Sequence, residues 1–222
     1  MKKFSVSNFL TDTEINDDVC ITGPSAADGN FRAFSLVLDA DFLVKSELKT
    51  TQGSIEAKAN LQVGTNLISA GNIIVKKSCQ VGGSIAGKNI KFSGLHTSAQ
   101  SINATTVSLG QNITIQNGIT ASKSIYLILN PRKRKVRVGG AIEAPSITIV
   151  FGVFFTKWSN LSNIISKRIG SGVRVKKGFN IGNLSIKTKK LTIKTRHPPE
   201  RVEIDFSNSD IEAKEIEIVQ VH

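Results

Sequence analysis

The chain has 222 residues, 40% of them hydrophobic, and 29 Lys/Arg against 17 Asp/Glu give a net charge of +12. That length holds one domain with a sizeable core, and that apolar content excludes a disordered chain. Two cysteines, Cys20 and Cys79, are too few for a disulfide framework and make neither a metal cluster nor a C-x-x-C pair, which leaves them as core thiols.

The N-terminus, Met1-Lys2-Lys3, opens like a secretory leader. No apolar run succeeds it, and Asp12, Glu14, Asp17 and Asp18 arrive at once, so a signal peptide is not expected. The longest apolar run, 147–155, is broken by Thr148 and Gly152 and is too short to span a bilayer. A cytoplasmic protein is therefore expected. Residues 1–50 hold less regular strands, such as 36–44, and are expected to cap one end of the fold.

From 51 to 149 the chain repeats. Ile68, Ile85, Ile102 and Ile119 recur every 17 residues. Each opens one phrase: apolar, any, small, two residues, then apolar, any, apolar. It reads Ile68, Ala70, Ile73, Val75, then Ile85, Gly87, Ile90, Phe92, then Ile102, Ala104, Val107, Leu109. Ile119 and Ala121 continue to Ile125 and Leu127 with one extra residue, and an earlier variant starts at Ile55. Alternation puts the first pair on one face and the last pair on one face, and the two residues between them force a bend. Seventeen residues are too few for strand, helix and return. They suit one coil of a parallel β-solenoid, in which stacking buries apolar rows that no coil buries alone. Nine to twelve coils at about 4.8 Å each would make a rod of about 45–60 Å. A right-handed solenoid is expected, because left-handed coils keep six-residue steps that are missing here. A β-sandwich is the alternative, but hairpins do not require a constant period.

Two interruptions break the repeat. The step from Ile119 to Ile142 is 23, and its excess fits the loop Asn130-Pro131-Arg132-Lys133-Arg134-Lys135. The step from Ile142 to Ile186 is 44, which implies an insertion of about ten or about 27 residues within 150–180. There Trp158, Leu161, Ile165 and Ile169 share a helical face beside Lys167 and Arg168. This short helix is expected either to cover the solenoid or to lie on a membrane surface. Coils resume over 181–222, where the phrase returns at Ile186 and Ile211, with a loop at Arg196-His197-Pro198-Pro199-Glu200.

Charge is segregated. Residues 1–56 carry 5 Lys/Arg and 9 Asp/Glu, 57–199 carry 22 and only Glu143, and 200–222 carry 2 and 7. A basic body between acidic ends attracts anions, with Arg132, Lys133, Arg134, Lys135, Arg137, Lys187, Lys189 and Lys190 as the anion-binding candidates. Acidic ends would repel, favouring staggered over end-to-end packing. An anionic membrane or acidic polysaccharide fits better than nucleic acid, because Tyr126 and Trp158 make no stacking platform.

Catalysis is not expected. Glycoside hydrolysis needs two carboxylates about one bond, and beyond Glu143 a pair would have to come from Asp39 and Asp41 or from Asp205 and Asp210. His96 has no acid near it in sequence, and no cofactor or metal is implied. Asn103, Asn112, Asn160 and Asn183 head Asn-x-Ser/Thr triplets but suit solenoid corners as well, and Asn72 and Asn89 occupy equivalent positions from which a ladder would form.

The 17-residue coil, with Gly83-Ser84-Ile85-Ala86-Gly87 and Gly118-Ile119-Thr120-Ala121, resembles the bactofilins, bacterial polymer-forming cytoskeletal β-helix proteins. The likeness covers 53–127 and returns at 140–149 and 209–218. It implies a right-handed solenoid that polymerises through its ends and associates with the inner membrane. The helical insertion and the acidic ends depart from that pattern. The expectation is thus a non-catalytic scaffold that self-associates or binds an anionic surface. Alternatives are a carbohydrate-binding or adhesin-like module, which would show an exposed aromatic ladder, and a degenerate polysaccharide lyase or hydrolase.

Overall fold

The computed structural model describes residues 1–94, 96–110, 112–129, 136–151, 177–180, 184–196, 202–206 and 208–221. The described strands stack in parallel into a β-solenoid of coils that are mostly 17–19 residues long. Every strand from Lys2–Phe4 to Cys79–Val81 is three residues long, and most bury the first and third residues more than the second, as in the buried–exposed–buried Phe31–Ala33, Phe42–Val44 and Leu61–Val63. Three such strands and three corners make one coil, so the tube has three faces. In later coils the corners straighten and strands fuse across them, giving Thr97–Leu109 and Ile113–Leu129.

On the first face an inward column runs Val19, Leu36, Ile55, Ile73, Ile90, Val107, Ile125, Ile147, Leu191, Ile216. The second carries Phe42, Leu61, Cys79, Thr97, Ile113 and Val136. The third carries Phe31, Leu48, Leu67, Ile85, Ile102, Ile119, Ile142, Ile186 and Ile211. Nearly all of these side chains merge into one core, fully removed from water in the middle of the stack. Near the N-terminal end the tube is filled by aromatic rings. Phe4, Phe9, Phe31 and Phe42 meet edge to face in sequence, with centroids 5.4, 5.0 and 5.2 Å apart.

The structure corrects the sequence reading at three points. Residues 1–50, expected as irregular capping strands, form coils of the same kind: Lys2–Phe4 pairs with Val19–Ile21, Ser7–Phe9 with Ser25–Ala27, and Thr13–Ile15 with Phe31–Ala33. Second, Leu67 rather than Ile68 lies under Ile85, and Ile68 faces outward opposite Ala86. Ser69 then takes the small inward position. Its buried hydroxyl accepts from Thr50 at 2.9 Å and donates to the Gly53 carbonyl at 3.0 Å, which satisfies the longer corner of that coil. Third, Ile55 belongs to the Ile73 column and not to the Ile85 column.

Other expectations hold. Ile119 pairs with Ile142, and Leu129 with Phe151, so the 23-residue step spans one coil. Ile142 pairs directly with Ile186, which selects the larger of the two insertion lengths. The expected helix of Trp158, Leu161, Ile165, Lys167, Arg168 and Ile169, and the loop of Arg132, Lys133, Arg134 and Lys135, lie outside the described residues. So do His197, Pro198, Pro199 and Glu200, and the triplet asparagines Asn160 and Asn183. Among the described residues no helix is long and apolar enough to cross a membrane.

Cys20 and Cys79 are free and buried. Desolvation alone pushes the Cys79 thiol up to about 12, so thiolate is scarce at neutral pH. Iodoacetamide is expected to leave Cys79 unmodified in the native protein and to alkylate it after denaturation, read by peptide mass spectrometry. Rapid native labelling would mean that the second face opens.

Candidate functional site

The corners carry ladders of polar side chains. Asn89 donates through Nδ2 to Asn72 Oδ1 at 2.8 Å, and the Thr106 hydroxyl donates to Asn89 Oδ1 at 2.7 Å, so the two asparagines do stack. A second device recurs near the N-terminal end. Asp12 accepts from the backbone and side-chain amides of Asn30, Asp41 does the same for Asn60, and Asn30 Oδ1 then accepts from the Glu47 amide. Asn112, at a corner, has a φ of 53°, a left-handed conformation that asparagine tolerates.

Cross-coil ion pairs gather near both acidic ends, and several of them reach into the basic body. At one end Asp28 meets Lys45, Asp39 meets Lys58 and Glu56 meets Lys76, each at 2.8 Å. The N-terminal ammonium lies 3.2 Å from Asp17. At the other end Lys187 lies 3.7 Å from Glu212, and Lys190 lies 3.2 Å from Glu215 and 2.8 Å from Glu217. Lys187 and Lys190, anion-binding candidates by sequence, are thus already neutralised by the last coil. A sequence reading missed this because the partners are 25 to 27 residues away. Lys189 and Arg137 are exposed and without an ion-pair partner among the described residues.

These contacts move titrations. The Asn30 backbone amide, foremost, holds Asp12 low, and the Asn60 backbone amide does so for Asp41. Hydrogen bonds from Lys58 and Lys76 lower Asp39 and Glu56. Glu217 first, then Glu215, raises Lys190. A carboxyl lowered by folding contributes stability above its ordinary value, 3.8 for Asp and 4.5 for Glu, and loses it as pH falls through the folded value. Thermal melts followed by circular dichroism are therefore expected to fall in Tm from about pH 5 to about pH 2, with Asp12→Asn flattening part of that fall. A melting temperature constant over that range would contradict the role given to the corner carboxylates.

Asp39 and Asp41, the nearest thing to a carboxylate pair, are each engaged by a neighbouring coil, and Glu143 stands on the third face opposite Lys187. His96 is exposed, and its carbonyl accepts the Cys79 amide. Among the described residues no three His, Cys, Asp or Glu side chains gather where they would hold a metal ion. Tyr126 is 37% exposed, but its column neighbours are Ser108 and Thr148, so it starts no aromatic ladder.

Two features stand out. The first is the pair of terminal coils. Lys2–Phe4, Ser7–Phe9 and Thr13–Ile15 each pair on one side only among the described residues, and so does Asp210–Gln220. Met1, Val6 and Leu10 are exposed on the first coil, and Ile216 is half exposed on the last. The second is a groove on the second face. Its outward column runs Asn8, Ala26, Leu43, Gln62, Gln80, Ser98, Thr114, Arg137. Two adjoining stretches of about 500 and 590 Å³ share Leu43, Gln62 and Gln80. Gly64 and Gly82 line one wall, where a Cβ would fall on the carbonyls of Lys45 and Gly64, so the backbone itself forms that wall.

Comparison with protein-family models, curated proteins and solved structures found no match.

Proposed function

We propose that this chain is a non-catalytic scaffold that self-associates through its terminal coils, a bactofilin-like mode of action in the bacterial cytoplasm. The observation that carries the reading is the open pair of ends. Unpaired parallel strand edges are templates for further strands, and proteins that stay monomeric blunt them. Here the first edge bears Lys2 and Lys3 beside the exposed Val6 and Leu10, and the last bears Glu212, Glu215, Glu217 and the half-exposed Ile216. The acids expected to drive the ends apart are partly compensated within the chain, Glu212, Glu215 and Glu217 by Lys187 and Lys190 and Asp17 by the N-terminal ammonium, which leaves the exposed apolar side chains to make the contact. Sedimentation velocity of the wild type against Val6→Asp/Leu10→Asp tests this. Concentration-dependent assemblies that collapse to the 23.9 kDa monomer in the variant are expected. A wild type that stays monomeric at every concentration overturns the reading.

The basic body supports a second role, docking the assembly on an anionic surface such as the inner-membrane leaflet or an acidic polysaccharide. Its favouring observation is that Arg137 and Lys189 have no acidic partner among the described residues.

A further inference from the structure

We infer that the groove on the second face is a binding site for an uncharged, unbranched polysaccharide chain. The shape comes first. The groove runs along the rod axis across successive coils, with Leu43, Gln62, Gln80, Ser98 and Thr114 stacked at the strand spacing of about 4.8 Å. That is a trough for a polymer rather than a pocket for a compact molecule, and its repeat is close to that of one sugar in an extended β-linked glycan.

The chemistry of the lining comes next. Gln62, Gln80, Gln100 and Gln116 are exposed, and their side-chain amides have no hydrogen-bond partner among the described residues. Each offers donors and an acceptor together, and Ser98 and Thr114 add hydroxyls that do both. Sugar hydroxyls need that combination. Phosphate and carboxylate do not, because they accept only.

Charge decides between polymers. The surrounding body carries 22 Lys/Arg and a single acid over residues 57–199. Even so, the charged groups that line the groove are engaged: Lys45 by Asp28 at 2.8 Å, and Asp41 by the Asn60 amides at 3.0 and 3.1 Å. Arg137 closes the column only at its far end. A nucleic acid or acidic glycan would be drawn to the cations elsewhere on the rod and not to this strip. The 38% exposed Leu43 gives the C–H face of a sugar ring something apolar to rest on, and the side-chain-free wall at Gly64 and Gly82 lets its hydroxyls approach the backbone. Lacking an aromatic platform, the site holds a chain by many weak contacts rather than by one anchor.

The test uses the full chain with β-1,4-linked hexamers of glucose and of N-acetylglucosamine, and with polygalacturonate as the anionic comparison, by isothermal titration at low and high salt. At least one neutral hexamer binds, with affinity unchanged by salt. Gln62→Ala/Gln80→Ala weakens it by about tenfold, as expected for two lost hydrogen bonds. Both side chains are exposed, so circular dichroism should show the variant folded, and Gln100→Ala gives an independent second reading. Val6→Asp/Leu10→Asp is expected to leave this binding intact, which separates the groove from self-association. Failure of both hexamers to bind, equal binding by the double variant, or binding of polygalacturonate alone with loss in salt each overturns the inference.

Discussion

Replacing Phe31 by alanine is expected to cost about 3–5 kcal/mol, the range for deleting a fully buried aromatic ring. Phe31 is wholly removed from water and meets Phe9 and Phe42 edge to face at 5.0 and 5.2 Å, so the cavity opens in the middle of the aromatic stack. Neighbouring coils cannot collapse into it, because their spacing is fixed by the strand ladders on all three faces. The loss should also be local. A solenoid is nearly one-dimensional, and each coil is held by its two neighbours. Hydrogen exchange is expected to lose protection from Lys2–Phe4 through Leu48–Thr50 while Ile113–Leu129 keeps most of its own. A chemical-denaturation change below about 1 kcal/mol, typical of a surface site, would mean that the rings are not packed as described.

Ile102→Asp should be more damaging. Ile102 sits between Ile85 and Ile119 in the third-face column, with no polar group beside it in that row. A carboxylate there is either charged without a partner or protonated at a cost, and about 4 kcal/mol or more is expected, enough to leave little folded protein. Asn103→Asp, one residue on, faces solvent and is expected to change stability by about 0.5 kcal/mol at most. The contrast tests register directly, since a slip of one residue would exchange the two outcomes. Equal effects from the two variants would rule out the stacking given for this face.

The period that revealed the solenoid is carried by the Ile85, Ile102, Ile119 row, where corners are short and strands fuse. Where corners lengthen, the signal fades. The coil holding Leu67 spends an extra residue between Ser69 and Ile73, so a rigid 17-residue ruler lands on Ile68 and misses the inward leucine by one. Residues 1–50 were obscured for a related reason. Their inward positions are Phe31, Phe42, Ala33 and Thr50 rather than a repeated Ile and Ala, and coil lengths there shift between 17 and 19. The inward place of hydroxyls such as Thr50, Ser69 and Thr188 has no local signal in sequence, because their partners come from the next coil or from the corner.

The cation candidates fared unevenly for the same cause. Lys187, Lys189 and Lys190 are close in sequence, yet the stack hands the first and last to glutamates of the final coil and leaves Lys189 without one. No local pattern contains that information, because it depends on which coil lies above which. The groove was equally hidden. Gln62, Gln80 and Gln100 are ordinary polar positions in sequence, and they become one surface only when the second face is assembled.

The central claim is that the open ends build assemblies, and sedimentation of the purified protein across a salt series, with and without anionic liposomes, tests it most directly. The account predicts large assemblies without liposomes that persist in salt, because apolar side chains join the ends and salt screens the repulsion of their acids, and liposome binding that is lost in salt. A salt-insensitive monomer that ignores the liposomes would contradict both the scaffold and the docking surface.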